Sequence, residues 1–335
     1  MENRSRSTLI PSSRSLAWIR SPWFDCFCLA NVCWPLILLP GMSSQGETAV
    51  DFWQIYFLTL PHRWLTLFLV ALDPDRRANR LFLLVSLAIS FAAVVSVVFV
   101  GSEAFLCLGV IDYLWNGWHF ASQHSGVLRI YSKKSGGGIP SLERWGIRLM
   151  ITYVILRTAN RMIYSSWIPE IPADVFDGLD AFVLLLAVGL IWSNVTPWSL
   201  QRLPKLIYLL SVLSLYLGYL LSFRASSTNW ILCFATAASM FHAVEYIGIV
   251  SHYAMRRKTS GSAGWMRVIS VYWPLILVCF ILLLGSFSLW VNSWSVELAT
   301  MWQGLNLWAA FTHYAWDGMI WKLRRSETSQ ALGVS

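Results

Sequence analysis

Charge is what this chain lacks. Of 335 residues only 13% are Asp, Glu, Lys or Arg, against 56% hydrophobic, and the mean hydropathy is +0.56. Soluble domains carry roughly 25% charged residues, a deficit too wide for one buried core and natural for a chain solvated by lipid. Long polar stretches are also missing: the longest runs only from Ser132 to Arg144, so no sizeable soluble domain is expected. Cysteine is sparse, with six residues all inside apolar stretches, which excludes a disulfide framework and a paired zinc-ligand pattern. There is no phosphate-binding glycine loop, Gly-x-Ser-x-Gly elbow, His-Glu-x-x-His or Cys-x-x-Cys-His. The +8 net charge does not point to nucleic acid, because its lysines and arginines sit in short clusters between apolar runs.

Those runs are long. A span needs roughly 20 mainly apolar residues, and candidates cover 24–42, 50–72, 80–101, 104–130, 146–167, 178–195, 205–223, 229–253, 266–290 and 297–321. The expected fold is therefore all-α, a polytopic transmembrane bundle of about ten spans. Pro61, with Asp51, His62 and Arg63, marks the second as kinked or broken. Loops assigned to one side hold Arg76, Arg77 and Arg80; Lys133, Lys134 and Arg144; Arg202 and Lys205; Arg256, Arg257 and Lys258; and Lys322, Arg324 and Arg325. The opposite loops hold Glu47, Glu103, Glu170, Asp174, Asp177, Asp180 and Glu297, with Arg224 the only clear basic residue. This alternation follows the positive-inside rule and puts both termini in the cytoplasm. It divides the chain into a basic segment 1–22, a bundle 23–323 and a tail 324–335, in a bacterial-type inner membrane. The first span is read as an uncleaved helix, Ser132–Arg144 as a flexible loop. Trp34-Pro35-Leu36-Ile37-Leu38 recurs at Trp273-Pro274-Leu275-Ile276-Leu277, and Gln123, Gly126 and Tyr131 match Glu245, Gly248 and Tyr253 at one offset, which suggests hairpin duplication.

All six histidines fall on the even-numbered spans: His62, His119 with His124, His242 with His252, and His313. At about 1.5 Å per residue, His62, His119 and His313 lie roughly 14–17 Å from the cytoplasmic charges, His242 deeper, and His124 and His252 about 6–8 Å in. One helical turn on stand Gln123 after His119, Glu245 after His242 and Asp317 after His313, spacings that share a helix face. A carboxylate in hydrocarbon costs several kcal/mol unless paired, so Glu245 and Asp317 are expected to face the interior. Imidazoles with carboxylates suit iron, and less specifically zinc or copper. The expected metal ligands are His62, His119, His242, His313, Glu245 and Asp317, with Glu245 and Asp317 as candidate catalytic carboxylates. Gln123, His124, His252, Arg157 and Arg161 form an outer or shallower set. Arg157 and Arg161, one turn apart, are read as a clamp for an anionic headgroup or as partners of Asp112 or Asp317. The tryptophans anchor the interfaces, and some wall a hydrophobic pocket.

Trp118-His119-Phe120-Ala121-Ser122-Gln123-His124 and His313-Tyr314-Ala315-Trp316-Asp317-Gly318 look like the signature of a bacterial membrane family. A many-helix chain with dispersed intramembrane histidines resembles the Brp/Blh-type bacterial β-carotene dioxygenases and, in site type, other histidine-rich iron oxygenases of membranes. The resemblance implies histidine-bound iron in the bilayer, O2, an electron donor and a lipid-soluble substrate. The adjacent-histidine signature of membrane desaturases, His-x-x-His-His, is missing. The same residues also fit two other classes, a proton-coupled permease with a His/carboxylate relay and a b-type haem protein.

Overall fold

The computed structural model describes residues 16–39, 53–77, 79–163, 171–196, 198–257, 265–322 and 326–333, and every regular element among them is helical. The long helices are α1 (Leu60–Leu72), α2 (Arg80–Val100), α3 (Ser102–Ser135), α4 (Pro140–Ile163), α5 (Ala173–Val195), α6 (Leu203–Arg224), α7 (Thr228–Arg256), α8 (Trp273–Asn292) and α9 (Val296–Ile320). Six helical stretches among the described residues are long and apolar enough to cross a membrane: Ile55–Leu72, Arg80–Val100, Ala173–Val195, Leu200–Arg224, Thr228–Arg256 and Trp273–Asn292. The helices α3, α4 and α9 are as long but carry the intramembrane His, Arg and Asp residues, so composition alone does not mark them as spans.

Burial separates the bundle into an inside and an outside. In α7, 72% of the most apolar window is buried, against 11% in α2 and 17% in α8. The outer helices turn Leu84, Ile89, Phe99, Leu185 and Leu283 outwards, each more than half exposed. A water-soluble monomer does not carry an apolar belt of that extent, and lipid is the solvent that suits it. One core cluster joins α3, α4, α6 and α7, and a second joins α1, α7, α8 and α9. The inner helix α7 belongs to both.

Several expectations are corrected. Residues 24–42 are not one helix: a turn at Pro22–Phe24 leads into a π-helix at Asp25–Leu29 and then a 3-10 helix at Trp34–Leu38. The break is at Asn31, which has φ +42° and whose amide donates to the carbonyls of Cys28 and Phe241 (both 3.3 Å). Asparagine tolerates that left-handed geometry, its own amide satisfies the Cys28 carbonyl, and Ser211 of α6 donates to the Ala30 carbonyl. Residues 40–42, 50–52 and 164–167, at the ends of three expected spans, lie outside the described residues, as do Glu47, Asp51, Glu170, Lys258, Arg324 and Arg325. The second WPLIL segment opens α8 as a regular helix with Pro274 in its first turn, so the two copies do not share a conformation. The matched tyrosines, however, do the same work: Tyr131 donates to Asp25 Oδ2 (2.9 Å) and Tyr253 to Asp73 Oδ2.

Ser132–Arg144 is not a flexible loop. Helix α3 runs on to Ser135 and α4 starts at Pro140, leaving a short turn with Gly136, Gly137 and Gly138 all at positive φ. Lys205 holds it, its Nζ donating to Gly137 O at 3.1 Å and to Glu143 Oε1. The described part of the tail, 326–333, packs on the bundle. Residues Ser326–Ala331 form a helix, and Arg76 donates to Thr328 Oγ1 (2.9 Å) and to the Ile320 carbonyl. With Arg257–Asp73 (3.2 Å), Arg20–Met255 and Lys134–Gly333, these contacts bring the described parts of the N- and C-terminal segments to one end of the bundle.

Candidate metal centre

The structure brings His62, His119, His242 and His313 together from α1, α3, α7 and α9. Their rings close a four-membered circuit. Centroids are 5.0 Å apart for His62–His242, 4.9 Å for His242–His119, 4.6 Å for His119–His313 and 5.0 Å for His313–His62. Every pair meets edge to face, and all four are buried. Two sets have ligand atoms within 4.8 Å of one another: His62, His242 and His313, and His119, His313 and Asp317. Imidazole ligands bind a first-row metal at about 2.0–2.1 Å, so opposed donors stand about 4.2 Å apart. Three donors cannot all be opposed; round a tetrahedral ion they stand about 3.4 Å apart, so from the 4.8 Å limit the side chains must draw in by up to about 1.4 Å. His313 belongs to both sets and joins them.

The local chain explains how α1 delivers His62. Pro61 has no N–H to offer the preceding turn, and a π-helix at Ile55–Thr59 leads into the proline, with Leu60 N–H bonding Ile55 O. The expected kink is thus a wide turn in an unbroken helix, directly ahead of the histidine. Neither ring nitrogen of His62 makes a hydrogen bond of good geometry, although the carbonyls of Leu58 and Thr59 stand close. Both nitrogens of His242 are buried and unpartnered too, its ring stacked on Phe120 at 4.0 Å. Unmade hydrogen bonds at buried polar atoms cost about 1–3 kcal/mol each. Two such imidazoles side by side are what a ligand would relieve.

His313 and Asp317 are held more firmly. Thr66 Oγ1 lies 2.6 Å from His313 Nδ1, which turns Nε2 inwards to 3.0 Å from His119 Nε2. Asp317 Oδ1 takes donors from Tyr246 (2.8 Å), Trp321 Nε1 (3.2 Å) and Thr66 (3.4 Å). Its other oxygen, Oδ2, faces His119 Nε2 at 3.8 Å. One carboxylate oxygen is thus occupied by the surroundings while the second is left towards the rings. This is the arrangement in which outer groups orient a ligand. Replacing Thr66 by Val is expected to weaken metal retention about 10–100-fold while Thr66→Ser keeps it, as read by chelator competition on purified protein; equal retention in both would remove Thr66 from the centre.

Glu245, expected among the ligands, goes elsewhere and joins neither set. Its Oε2 takes Gln123 Nε2 at 2.7 Å and lies 3.2 Å from His124 Nδ1, while Tyr208 donates to Oε1 at 2.5 Å. Gln123 also donates to the His242 backbone carbonyl at 3.0 Å, which ties this second polar nest to the stretch of α7 that carries a ring of the centre. His252 stands apart, 6.1 Å from the Phe24 ring. Arg157 and Arg161 meet neither Asp112 nor Asp317. Arg157 lies over Phe176 at 3.5 Å, and both arginines line a separate cavity of about 410 Å³. Asp112 pairs instead with Arg63 (3.8 Å) and accepts from Tyr314 (3.0 Å).

The sequence reading missed Thr66, Tyr246, Trp321 and Tyr208. Thr66 and Tyr246 stand four residues after His62 and His242, the spacing already applied to Asp317, so the same rule extended to hydroxyls finds them. Tyr208, on the histidine-free α6, carries no such signal. Compared with known protein families, curated proteins and solved structures, the chain matches none, so the centre is read on its own geometry.

Proposed function

We propose that the protein is an integral membrane metalloenzyme in which His62, His119, His242, His313 and Asp317 hold non-haem iron and oxidise a lipid-soluble substrate with O2. The observation that carries this reading is the convergence of four buried imidazoles from four helices, two of them without hydrogen-bond partners. A nitrogen-rich set completed by one carboxylate suits iron, with zinc and copper the competing ions. Iron bound there supplies the redox chemistry that side chains lack. The residues do the rest: Thr66 fixes the His313 ring, Tyr246 and Trp321 fix Asp317, and the apolar bundle excludes bulk water. An electron donor is part of the proposal.

The proposed topology has about ten spans, with both termini in the cytoplasm of a bacterial-type inner membrane. Supporting it, the basic residues Arg20, Arg76, Lys134, Arg256 and Arg257 gather at one end of the bundle, while Asp177 and Asp180 pair with Arg224 (2.8 and 2.9 Å) away from them.

One observation favours a proton-coupled permease: the polar nest of Tyr208, Glu245, His124 and Gln123 leads towards the four rings. The b-type haem reading fits less well, since a porphyrin must stand between its two axial imidazoles and these rings meet at 4.6–5.0 Å. Elemental analysis and an optical spectrum of detergent-purified protein separate the three. The proposal expects about one iron per chain and no Soret band. A Soret band would establish haem, and metal-free protein from iron-replete cells would leave the permease.

A further inference from the structure

A cavity of about 330 Å³ opens beside the centre, with His119 and Asp317 in its wall. Its shape follows from which residues line it. On α3 they recur at three- and four-residue intervals from Trp115 to Ile130, and on α9 from Tyr314 to Trp321. One face of α3 over fifteen residues is about 22 Å long at 1.5 Å per residue. The cavity is therefore a slot along the helix axes, the direction in which a lipid chain lies.

Two glycines keep it open. A Cβ built on Gly126 of α3 or on Gly318 of α9 meets no atom within 4 Å. The walls are largely apolar, with indoles at Trp115, Trp118 and Trp321. Besides His119 and Asp317, the wall carries the polar Ser122 and Gln123 and two cations, Lys322 and Arg148 of α4, of which Arg148 stands among the indoles. The guanidinium carbon of Arg148 lies 5.4 Å from the rings of both Trp118 and Trp145, its Nε is buried without a partner, and no described carboxylate pairs with it. Arg148 is half-buried and, unlike Arg63, Arg129 and Arg224, has no carboxylate partner among the described residues, so it is free to take an anion. The volume sits at the lower limit of small-molecule pockets and suits one chain, not the two of a phospholipid.

We propose that the slot between α3 and α9 binds a single-chain lipid acid, its carboxylate on Arg148 and its chain along the α3 face. This rests on the metalloenzyme reading only for what happens next. Arg148, His119 and Asp317 line the same slot, so a carboxylate on Arg148 lays the chain past His119 and Asp317.

The test uses full-length, metal-loaded protein in nanodiscs, labelled with a photoactivatable long-chain fatty acid. Competitors are oleate, methyl oleate and phosphatidylglycerol, and metal content is measured on the same samples. Labelling is expected on α3 and α9, displaced by oleate about tenfold better than by the uncharged ester. Arg148→Gln should erase that preference. Gly126→Leu should block labelling with metal retained, and Gly126→Ala, which adds only a Cβ in open space, should leave labelling intact and reports on folding. Equal displacement by the ester, better displacement by phosphatidylglycerol, or labelling indifferent to both Arg148→Gln and Gly126→Leu would overturn the proposal. Arg148-dependent labelling of a protein that holds no metal would keep the slot and sink the metal centre; metal without such labelling would do the reverse.

Discussion

His313→Ala is expected to strip the protein of its metal, by at least about 100-fold in retention, because outer-sphere changes alone cost 10–100-fold and this residue is a ligand. It alone lies in both ligand sets, so no complete triad survives its removal. His62→Ala leaves His119, His313 and Asp317 in place, and His119→Ala leaves His62, His242 and His313. Those two variants should therefore keep partial retention, and the graded pattern is the signature of a shared centre. Thr66 holds His313 Nδ1, so its one inward nitrogen serves a single ion, and both His62→Ala and His313→Ala lower that ion's affinity, His313→Ala the more. The measurement is elemental analysis after a chelator wash, with size-exclusion chromatography to confirm a folded protein. Full stoichiometry in His313→Ala would end the assignment.

Glu143→Ala is expected to be the most destabilising surface-independent change, costing about 3–5 kcal/mol, the usual effect of leaving one member of a buried ion pair alone. Glu143 is fully buried and accepts from Lys205 Nζ, Arg129 Nη1 (2.9 Å) and Ser132 Oγ (2.7 Å). Removing it strands Lys205, whose side chain is also fully buried and whose remaining partner is the Gly137 carbonyl. The glycine turn between α3 and α4 would be held through the Lys205–Gly137 bond alone, which loosens the register of the helix carrying His119 and His124. The double variant Glu143→Ala/Lys205→Met should recover much of the loss, since it removes the stranded charge. Thermal unfolding in detergent reads both, and a single variant as stable as the parent would show that water already reaches this pair.

Helix α7 shows how much of the centre could be read from the chain. Both His242 and Glu245 were assigned to the interior, and both are buried there. Their separation into different polar groups was not legible. At 100° per residue, a residue three positions on lies about 60° to one side of the histidine and one four positions on about 40° to the other. Asp317, Thr66 and Tyr246, all four positions on, bond one another beneath the rings, whereas Glu245, three positions on, turns to Tyr208 and His124. Gln123, also four positions on, reaches across to Glu245, because the neighbour on that side of α3 is α7. Local spacing says which residues share a face. It does not say which neighbour that face meets.

Composition and periodicity by themselves determined the helical, lipid-adapted character of the protein, and that its histidines and acids lie on inward faces, since both follow from transfer free energy and a 3.6-residue repeat, properties each segment carries alone. The tertiary structure decided which inward groups meet: four imidazoles and Asp317 in one place, Glu245 in another, a first apolar segment folded on α7 instead of continuing as a helix, and a slot with Arg148 in its wall. Those outcomes depend on the rotation of each helix about its axis, which is set by packing summed over all its neighbours and is encoded in no single stretch of sequence.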